Sequence, residues 1–138
     1  MDSPTAFAAV ALAAVAWDGV LGRAGTRSLR HELDYRPPFR DCTDQEMITL
    51  MNGLLDRLRT DGAEPLMIAA AGGLDGGQRQ TAFAVAAELM RSDGPLVDEE
   101  RRILAHLSEV LELPETTSTT ILEVMDILHA SVLVPDEG

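Results

Sequence analysis

Four carboxylates lie close together in one short stretch of the sequence. Asp93 is followed by a Gly-Pro pair, and after two apolar residues come Asp98, Glu99 and Glu100. Carboxylate oxygens are the ligands that Ca²⁺, Mg²⁺ and Mn²⁺ prefer in proteins. We therefore expect a divalent cation as the ligand of this stretch, provided that the side chains face one another.

Two helices must meet here for the carboxylates to converge. An apolar helix reaches Asp93, and Gly94 and Pro95 break it because glycine tolerates positive φ and proline has no amide proton. The next helix begins at Asp98, where acidic side chains favour the positive end of the helix dipole. Asp93 and Glu100 can then face the same corner. The alternative is that these carboxylates only cap and stabilise the helix, without a metal.

The rest of the chain is also helical in its pattern. Apolar residues recur at helical spacing, and no segment alternates with the period of a strand. Ser3 is predicted to cap the first helix, and Thr43 with Glu46 forms a capping box for the third. The sequence predicts an all-α fold of about seven helices, at about 5–17, 26–33, 44–60, 65–71, 78–91, from 98 to the Leu113-Pro114 break, and 117–132.

The composition indicates what the core is made of. Of the 138 residues, 46% are hydrophobic but only 4% are aromatic, which favours closely packed helices with an aliphatic core. The length favours a single domain covering residues 1–138. The residues that we expect to be buried are Met51, Leu54, Phe83, Ala86, Leu104, Leu107 and Met125, and on the last helix also Ile121, Val124 and Leu128.

The sequence contains an internal repeat. Moving the first half forward by seventy-five residues places Asp18 on Asp93 and Gly25 on Glu100, with further matches on both sides. The ordered set of matches predicts two pseudo-symmetric three-helix units, at about 4–60 and 78–132, joined by the short helix that begins at Pro65. Asp18 is then expected to join Asp93 and Glu100 across the pseudo-twofold axis as a metal ligand.

These motifs resemble those of a known family. The pattern Ser92-Asp93-Gly94, followed by Glu100 and then Ile103-Leu104, is similar to that of the tellurite-resistance TerB-like family. The resemblance implies a small, all-helical cytoplasmic domain that is linked to metal and oxidative stress. It implies that Asp18, Asp93 and Glu100 are the metal ligands, although Gly25 departs from the doubled acidic pattern.

The charge balance restricts the possible partners. The formal net charge is −12, so the surface should repel phosphate backbones, and nucleic-acid binding is not expected. Cations and basic protein surfaces are the favoured partners. A second hypothesis is therefore an acidic protein-interaction adaptor that docks a basic partner without any metal.

The single cysteine and the longest apolar run indicate the cellular compartment to expect. Cys42 is the only cysteine, so no internal disulfide is possible, which favours a reducing cytoplasm. It follows a Pro-rich segment with no neighbouring histidine, so we interpret it as an incidental thiol. The apolar run from Ala6 to Trp17 is too short to span a bilayer, and we expect a buried helix and no membrane span.

Other chemistries find less support in the sequence. No pair among His31, His106 and His129 has the spacing of zinc ligands. His31 and His106 occupy matching repeat positions, and we expect equivalent polar environments for them. No nucleophile-elbow motif is present. Paired-carboxylate catalysis needs a substrate cleft, usually lined with aromatic residues, and with one Trp and one Tyr this chain is poor in such surface. We therefore expect no enzymatic activity.

Overall fold

The computed structural model of the chain describes residues 1–17, 22–91, 94–130 and 132, and of Ala24 only the backbone. Within these ranges every regular element is helical and no strand is present, which confirms the all-α fold class. A 3₁₀ turn covers Phe39–Asp41. The seven α-helices of the described ranges are α1 (Ser3–Val15), α2 (Arg23–Asp34), α3 (Asp44–Asp61), α4 (Ala63–Ala71), α5 (Gly76–Met90), α6 (Asp98–Val110) and α7 (Glu115–Leu128).

Helix α1 forms the centre of the core. It carries no charged residue, and it packs most extensively against α4 and α5. Alanine occupies many of its positions, and this small side chain lets neighbouring helices approach closely on several sides. Residues of α1 are therefore buried on every face: Ala6, Ala8, Ala9, Val10, Ala11, Leu12, Ala13 and Ala14.

The start of α1 differs from the prediction. Asp2, rather than Ser3, is the N-cap, and its Oδ1 accepts a hydrogen bond from the backbone N–H of Thr5 at 2.9 Å. Hydrogen bonds from the Thr5 side chain and then from its backbone hold the pKa of Asp2 below its ordinary value. Ser3 Oγ instead donates a hydrogen bond to the backbone oxygen of Gly73, also at 2.9 Å. The sequence did not identify the N-cap correctly, because Asp2 and Ser3 are adjacent and both residue types can cap a helix.

Gly73 permits a close approach between α1 and the end of α4. A Cβ atom at this position would lie 2.8 Å from the backbone oxygen of Met1 and 3.0 Å from the Cβ of Ala6. At the neighbouring Gly72, the nearest atom would be the backbone oxygen of Ala69 at 3.6 Å, which is an ordinary contact. Any side chain at residue 73 would therefore push α1 away from α4.

Capping side chains fix the starts of other helices. The predicted capping box of α3 is confirmed, with Glu46 N donating to Thr43 Oγ1 at 3.1 Å and Thr43 N donating to Glu46 Oε1 at 2.7 Å. A second capping box was missed, in which Asp75 and Gln78 make the reciprocal contacts. Helix α5 therefore begins at Gly76 rather than at Gln78, since a good N-cap outweighs glycine in the first turn. Helix α4 likewise begins before Pro65, at Ala63.

Arg79 ties the ends of three helices together. From the first turns of α5, its Nη2 donates to Ala71 O at 2.8 Å and its Nε to Leu74 O at 3.1 Å. Its Nη1 donates to Leu111 O at 3.0 Å and lies 3.3 Å from Glu112 Oε1. The guanidinium thus satisfies carbonyl oxygens at the C-terminal ends of α4 and α6, where a positive charge also complements the helix dipole.

The predicted core is largely confirmed, and the last helix is the exception. Met51, Leu54, Phe83, Ala86, Leu104, Leu107 and Met125 are all buried. On α7, however, the prediction that Val124 and Leu128 are buried is wrong, because their exposed fractions are 54% and 68%. The helix also ends at Leu128 rather than at Val132.

Candidate functional site

The predicted metal ligands are only partly visible in the structure. Asp18 and Asp93 lie outside the described residues, so their distance from Glu100 stays untested. Glu100 is half-buried in the first turn of α6, and its Oε1 accepts a hydrogen bond from the backbone N–H of Val97 at 3.0 Å. The valine side chain has no hydrogen-bond acceptor, so the second, reciprocal hydrogen bond of a capping box is not formed. One oxygen of Glu100 therefore already stabilises the start of α6, as the capping alternative requires.

Metal-ligating side chains do not cluster elsewhere in the described ranges. Among these residues, no group of three or more His, Cys, Asp or Glu side chains is arranged so that it could hold a metal ion. Asp18 and Asp93 lie outside these ranges. The metal site at the corner before α6, where Gly94 has a φ of +129°, therefore stays a prediction.

The three histidines have different surroundings. His106 Nε2 lies 2.6 Å from Glu64 Oε2, and the ring of Trp17 meets the imidazole edge-on with a centroid distance of 5.9 Å. His31 is exposed, and its described aromatic contact is with Tyr35 at 6.1 Å. The equivalent environments that we expected for these two histidines are therefore not found. His129 Nε2 bonds Glu88 Oε1 at 2.6 Å, which links the end of α7 to α5.

Helix α7 has one attached face and one free apolar face. On the attached face Met125 is buried, Ser118 contacts Ser108 of α6, and Asp126 receives a hydrogen bond from Arg91 at 2.5 Å. On the other face Val124, Ile127 and Leu128 are 54%, 75% and 68% exposed. We call these three residues the α7 stripe. Residues spaced by three and four positions are neighbours on a helix, so the α7 stripe is one continuous patch.

The charges on α7 all have the same sign. The helix carries Glu115, Glu123 and Asp126 but no lysine or arginine. Glu123 and Asp126 are exposed, and Asp126 is paired with Arg91. The α7 stripe is thus an apolar surface on a helix whose only charges are acidic.

Sequence reasoning missed this surface, although a signal was present. Apolar residues occupy six of the eight positions from 121 to 128, which is a wider band than one contact face requires. A helix with so wide an apolar band is fully buried only when other helices pack against two of its sides. In the structure α7 packs mainly against α5, so part of the band stays exposed.

A cleft is the second feature that the sequence did not predict. It lies between the start of α1, the connection 36–39 and the start of α5, and its volume is about 620 Å³. Phe7 and Phe39 both line it. Two of the five aromatic residues of the chain therefore meet at this cleft, whereas Trp17 contacts His106.

Comparison of the chain with known proteins identifies no relative. No family model, no curated protein and no solved structure matches the chain. The TerB-like resemblance accordingly stays a prediction from the motifs. In the described part of the chain, no helix combines the length and the apolar character needed to cross a membrane.

Proposed function

We propose that this chain is a non-enzymatic interaction module whose α7 stripe docks a basic amphipathic helix of another protein. The observation that carries the proposal is the exposure of Val124, Ile127 and Leu128 side by side on one helix. A contiguous exposed apolar patch typically marks a binding surface, whereas isolated exposed apolar residues do not. Three neighbouring anchors at helical spacing suit an apolar helix face.

Charge supports a basic partner rather than a second copy of the same chain. The net charge of −12 makes two copies repel each other, and the acids of α7 would face each other in a symmetric dimer. A partner with lysine or arginine beside its apolar face would instead be attracted to the exposed Glu123. The same attraction steers the first encounter and makes the rate of association sensitive to salt.

A designed peptide tests this proposal without an unidentified partner. The probe is a helical peptide of leucine and lysine with one apolar face, and its fluorescence anisotropy reports binding. We expect Ile127→Glu to weaken binding by about tenfold or more, because burying an unpaired carboxylate costs more than 1.4 kcal/mol. Ile68→Glu is the matched control, since Ile68 is 54% exposed on the distant α4.

Three results would overturn the proposal. The first is that the wild-type protein does not bind the basic peptide, or binds a glutamate version of it equally well. The second is that Ile68→Glu weakens binding as much as Ile127→Glu does. The third is sedimentation showing a wild-type dimer that Ile127→Glu dissociates, because the α7 stripe would then bind a second copy of this chain.

A divalent-cation site remains the second candidate function, as the TerB-like resemblance implies for a cytoplasmic stress-associated module. The acidic first turn of α6, with Asp98, Glu99 and Glu100 directly after the Gly94 turn, favours it. A cation would bridge Asp93 and Glu100, joined by Asp18 across the proposed pseudo-twofold axis. Binding to the folded state alone would raise the melting temperature with cation concentration.

The Glu100→Gln variant separates the cation site from a capping role. Glutamine retains an oxygen that can accept the Val97 N–H, so stability in chelator should stay close to that of the wild type. The cation-induced rise in melting temperature should be lost, because the hard carboxylate is gone. If Ca²⁺, Mg²⁺, Mn²⁺ and Zn²⁺ all leave the wild-type melting temperature unchanged, Glu100 serves only as a cap.

The proposal extends to the architecture as a duplicated three-helix unit. The helix bounds support this idea, since moving α2 forward by seventy-five residues places it on 98–109, against Asp98–Val110 for α6. Helices α1, α2 and α3 would correspond to α5, α6 and α7, with α4 between the two units. An experimental structure in which the two units superpose about a twofold axis would support it, and one in which α1 and α5 are not equivalent would refute it.

A further inference from the structure

The cleft beside α1 has the size of a small-molecule site. Its volume of about 620 Å³ lies within the roughly 300–1,000 Å³ that is usual for ligand pockets. Three separate parts of the chain form its walls: Ser3 and Phe7 from α1, the connection 36–39, and Asp75 to Thr81 around the start of α5. The capping contacts of Asp75 and the hydrogen bond from Ser3 to Gly73 hold two of these walls in place.

Ring-bearing side chains are concentrated at this cleft. The chain has three phenylalanines and seven prolines, and the lining contains two of the former and three of the latter, namely Phe7, Phe39, Pro4, Pro37 and Pro38. The two phenylalanine rings lie 6.4 Å apart between centroids and tilt by 35°. Phe39 is buried as part of the otherwise mainly aliphatic core and Phe7 packs against that core, so the two rings are held in fixed positions. Flat, rigid walls of this kind favour a planar ligand, because aromatic faces stack on one another.

Arg36 supplies the positive charge of the cleft. Its guanidinium carbon lies 5.7 Å from the centroid of Phe7 and 5.4 Å from that of Tyr35, which fixes the guanidinium plane near the rings. Nε donates to Glu32 O at 3.2 Å, and Nη2 lies 3.7 Å from Glu32 Oε1. In the described ranges no residue accepts a hydrogen bond from Nη1, so this donor is available to a ligand.

The opposite wall explains why the ligand should have one charged end. Asp75 is the carboxylate in the described lining, and its Oδ1 is engaged by the N–H of Gln78. An anionic group of a ligand is therefore repelled from the α5 side. On the other side it meets the guanidinium of Arg36, whose charge is partly offset by the Glu32 carboxylate 3.7 Å from Nη2. The lining between these two ends is mainly apolar, and Ser3, Gln78 and Thr81 add uncharged polar side chains.

These observations together define a ligand class. We infer that the cleft binds a small planar aromatic acid, with its ring against the phenylalanine and proline side chains and its carboxylate on Arg36. This site is separate from the α7 stripe, and its occupation does not depend on a protein partner.

The experiment uses two probes that differ in charge. 2-Naphthoate has a fused aromatic ring and a carboxylate, and 2-naphthylmethanol replaces the carboxylate with a neutral group. We expect the wild-type protein to bind 2-naphthoate in calorimetry and to prefer it to the alcohol. Arg36→Gln should weaken naphthoate binding by about tenfold or more, because a hydrogen bond to a charged group contributes about 1.5–3 kcal/mol. The same variant should weaken binding of the alcohol much less, because the alcohol has no carboxylate to pair with Arg36.

A cleft-filling variant locates the site independently of Arg36. Thr81 is exposed and lines the cleft, so Thr81→Phe should fill part of it and abolish binding of both probes without unfolding the protein. Thr60→Phe is the control, since Thr60 is exposed on α3 and is not among the lining residues. The inference is overturned if the wild type shows no saturable binding, if Thr81→Phe binds as the wild type does, or if Arg36→Gln affects both probes equally.

Discussion

Helices α1 and α7 are both rich in apolar residues and both lack lysine and arginine, yet they end in opposite environments. Helix α1 is buried on all sides by α4 and α5 together with more distant neighbours. Helix α7 contacts mainly α5, and its apolar stripe faces solvent. The apolar composition of a helix therefore does not by itself determine whether the helix is buried. The number of neighbouring helices around each helix decides it, and that number is a property of the whole fold.

The same substitution in both helices should give the largest contrast. Leu12 of α1 is fully buried, so Leu12→Ala should lower the free energy of unfolding by about 2–5 kcal/mol through lost contacts and a cavity. Leu128 of α7 is 68% exposed, so Leu128→Ala should change the free energy of unfolding by less than about 0.5 kcal/mol. Chemical denaturation of both variants measures the difference. Equal losses would show that the outer face of α7 is also covered in solution.

The close contact between α1 and α4 offers a second test of the comparison. Gly73→Ala should destabilise the protein by about 1–3 kcal/mol, because the new Cβ would overlap Met1 O and touch Ala6. Gly72→Ala should be neutral or slightly stabilising, since Gly72 has a helical φ of −65° and a Cβ there would make only an ordinary contact with Ala69 O at 3.6 Å. Thermal melts of the two variants suffice. A neutral Gly73→Ala would mean that α1 is less tightly fixed at its start than the distances indicate.

The attachment of α7 should show the smallest effect. Asp126→Asn weakens the ion pair with Arg91, whose side chain is only 9% exposed, and we expect a loss of about 1 kcal/mol. Asp56→Asn is the control, because its pair with Arg59 is 3.6 Å long and exposed on both sides, and no measurable loss is expected. Urea titrations at low salt measure the free energy of unfolding of both variants and of the wild type. A loss from Asp56→Asn as large as that from Asp126→Asn would show that burial of Arg91 adds nothing to the attachment.

Local signals in the sequence were sufficient for most of the fold. Helical spacing and breakers located the seven helices, and Thr43 with Glu46 identified a capping box, because all of these depend on residues within a few positions of each other. Helix starts were less certain where two capping residues are adjacent, as Asp2 and Ser3 are. The wide apolar band of α7 was a local signal, but which part of that band is buried depends on neighbouring helices that no local pattern specifies.

The candidate sites depend on contacts between distant parts of the chain. The cleft requires Phe7, Arg36 and Asp75 to come together, and no spacing in the sequence indicates that they do. Glu100 illustrates a different difficulty, because a glutamate in a first helical turn has the same pattern whether it binds a metal or caps the backbone. Its contact with Val97 N–H shows the capping role, and the cation hypothesis now depends on measurement.

The way in which Arg79 makes its contacts has a consequence for how related sequences should vary. Its guanidinium bonds the main-chain oxygens of Ala71, Leu74 and Leu111, and every amino acid carries such an oxygen. Substitutions at these three positions can therefore exchange one apolar side chain for another without losing the hydrogen bonds. Arginine itself has no substitute with the same fork of donors. Among homologous chains, residue 79 should stay arginine, while the three buried residues that it holds should vary among apolar side chains that the core can accommodate.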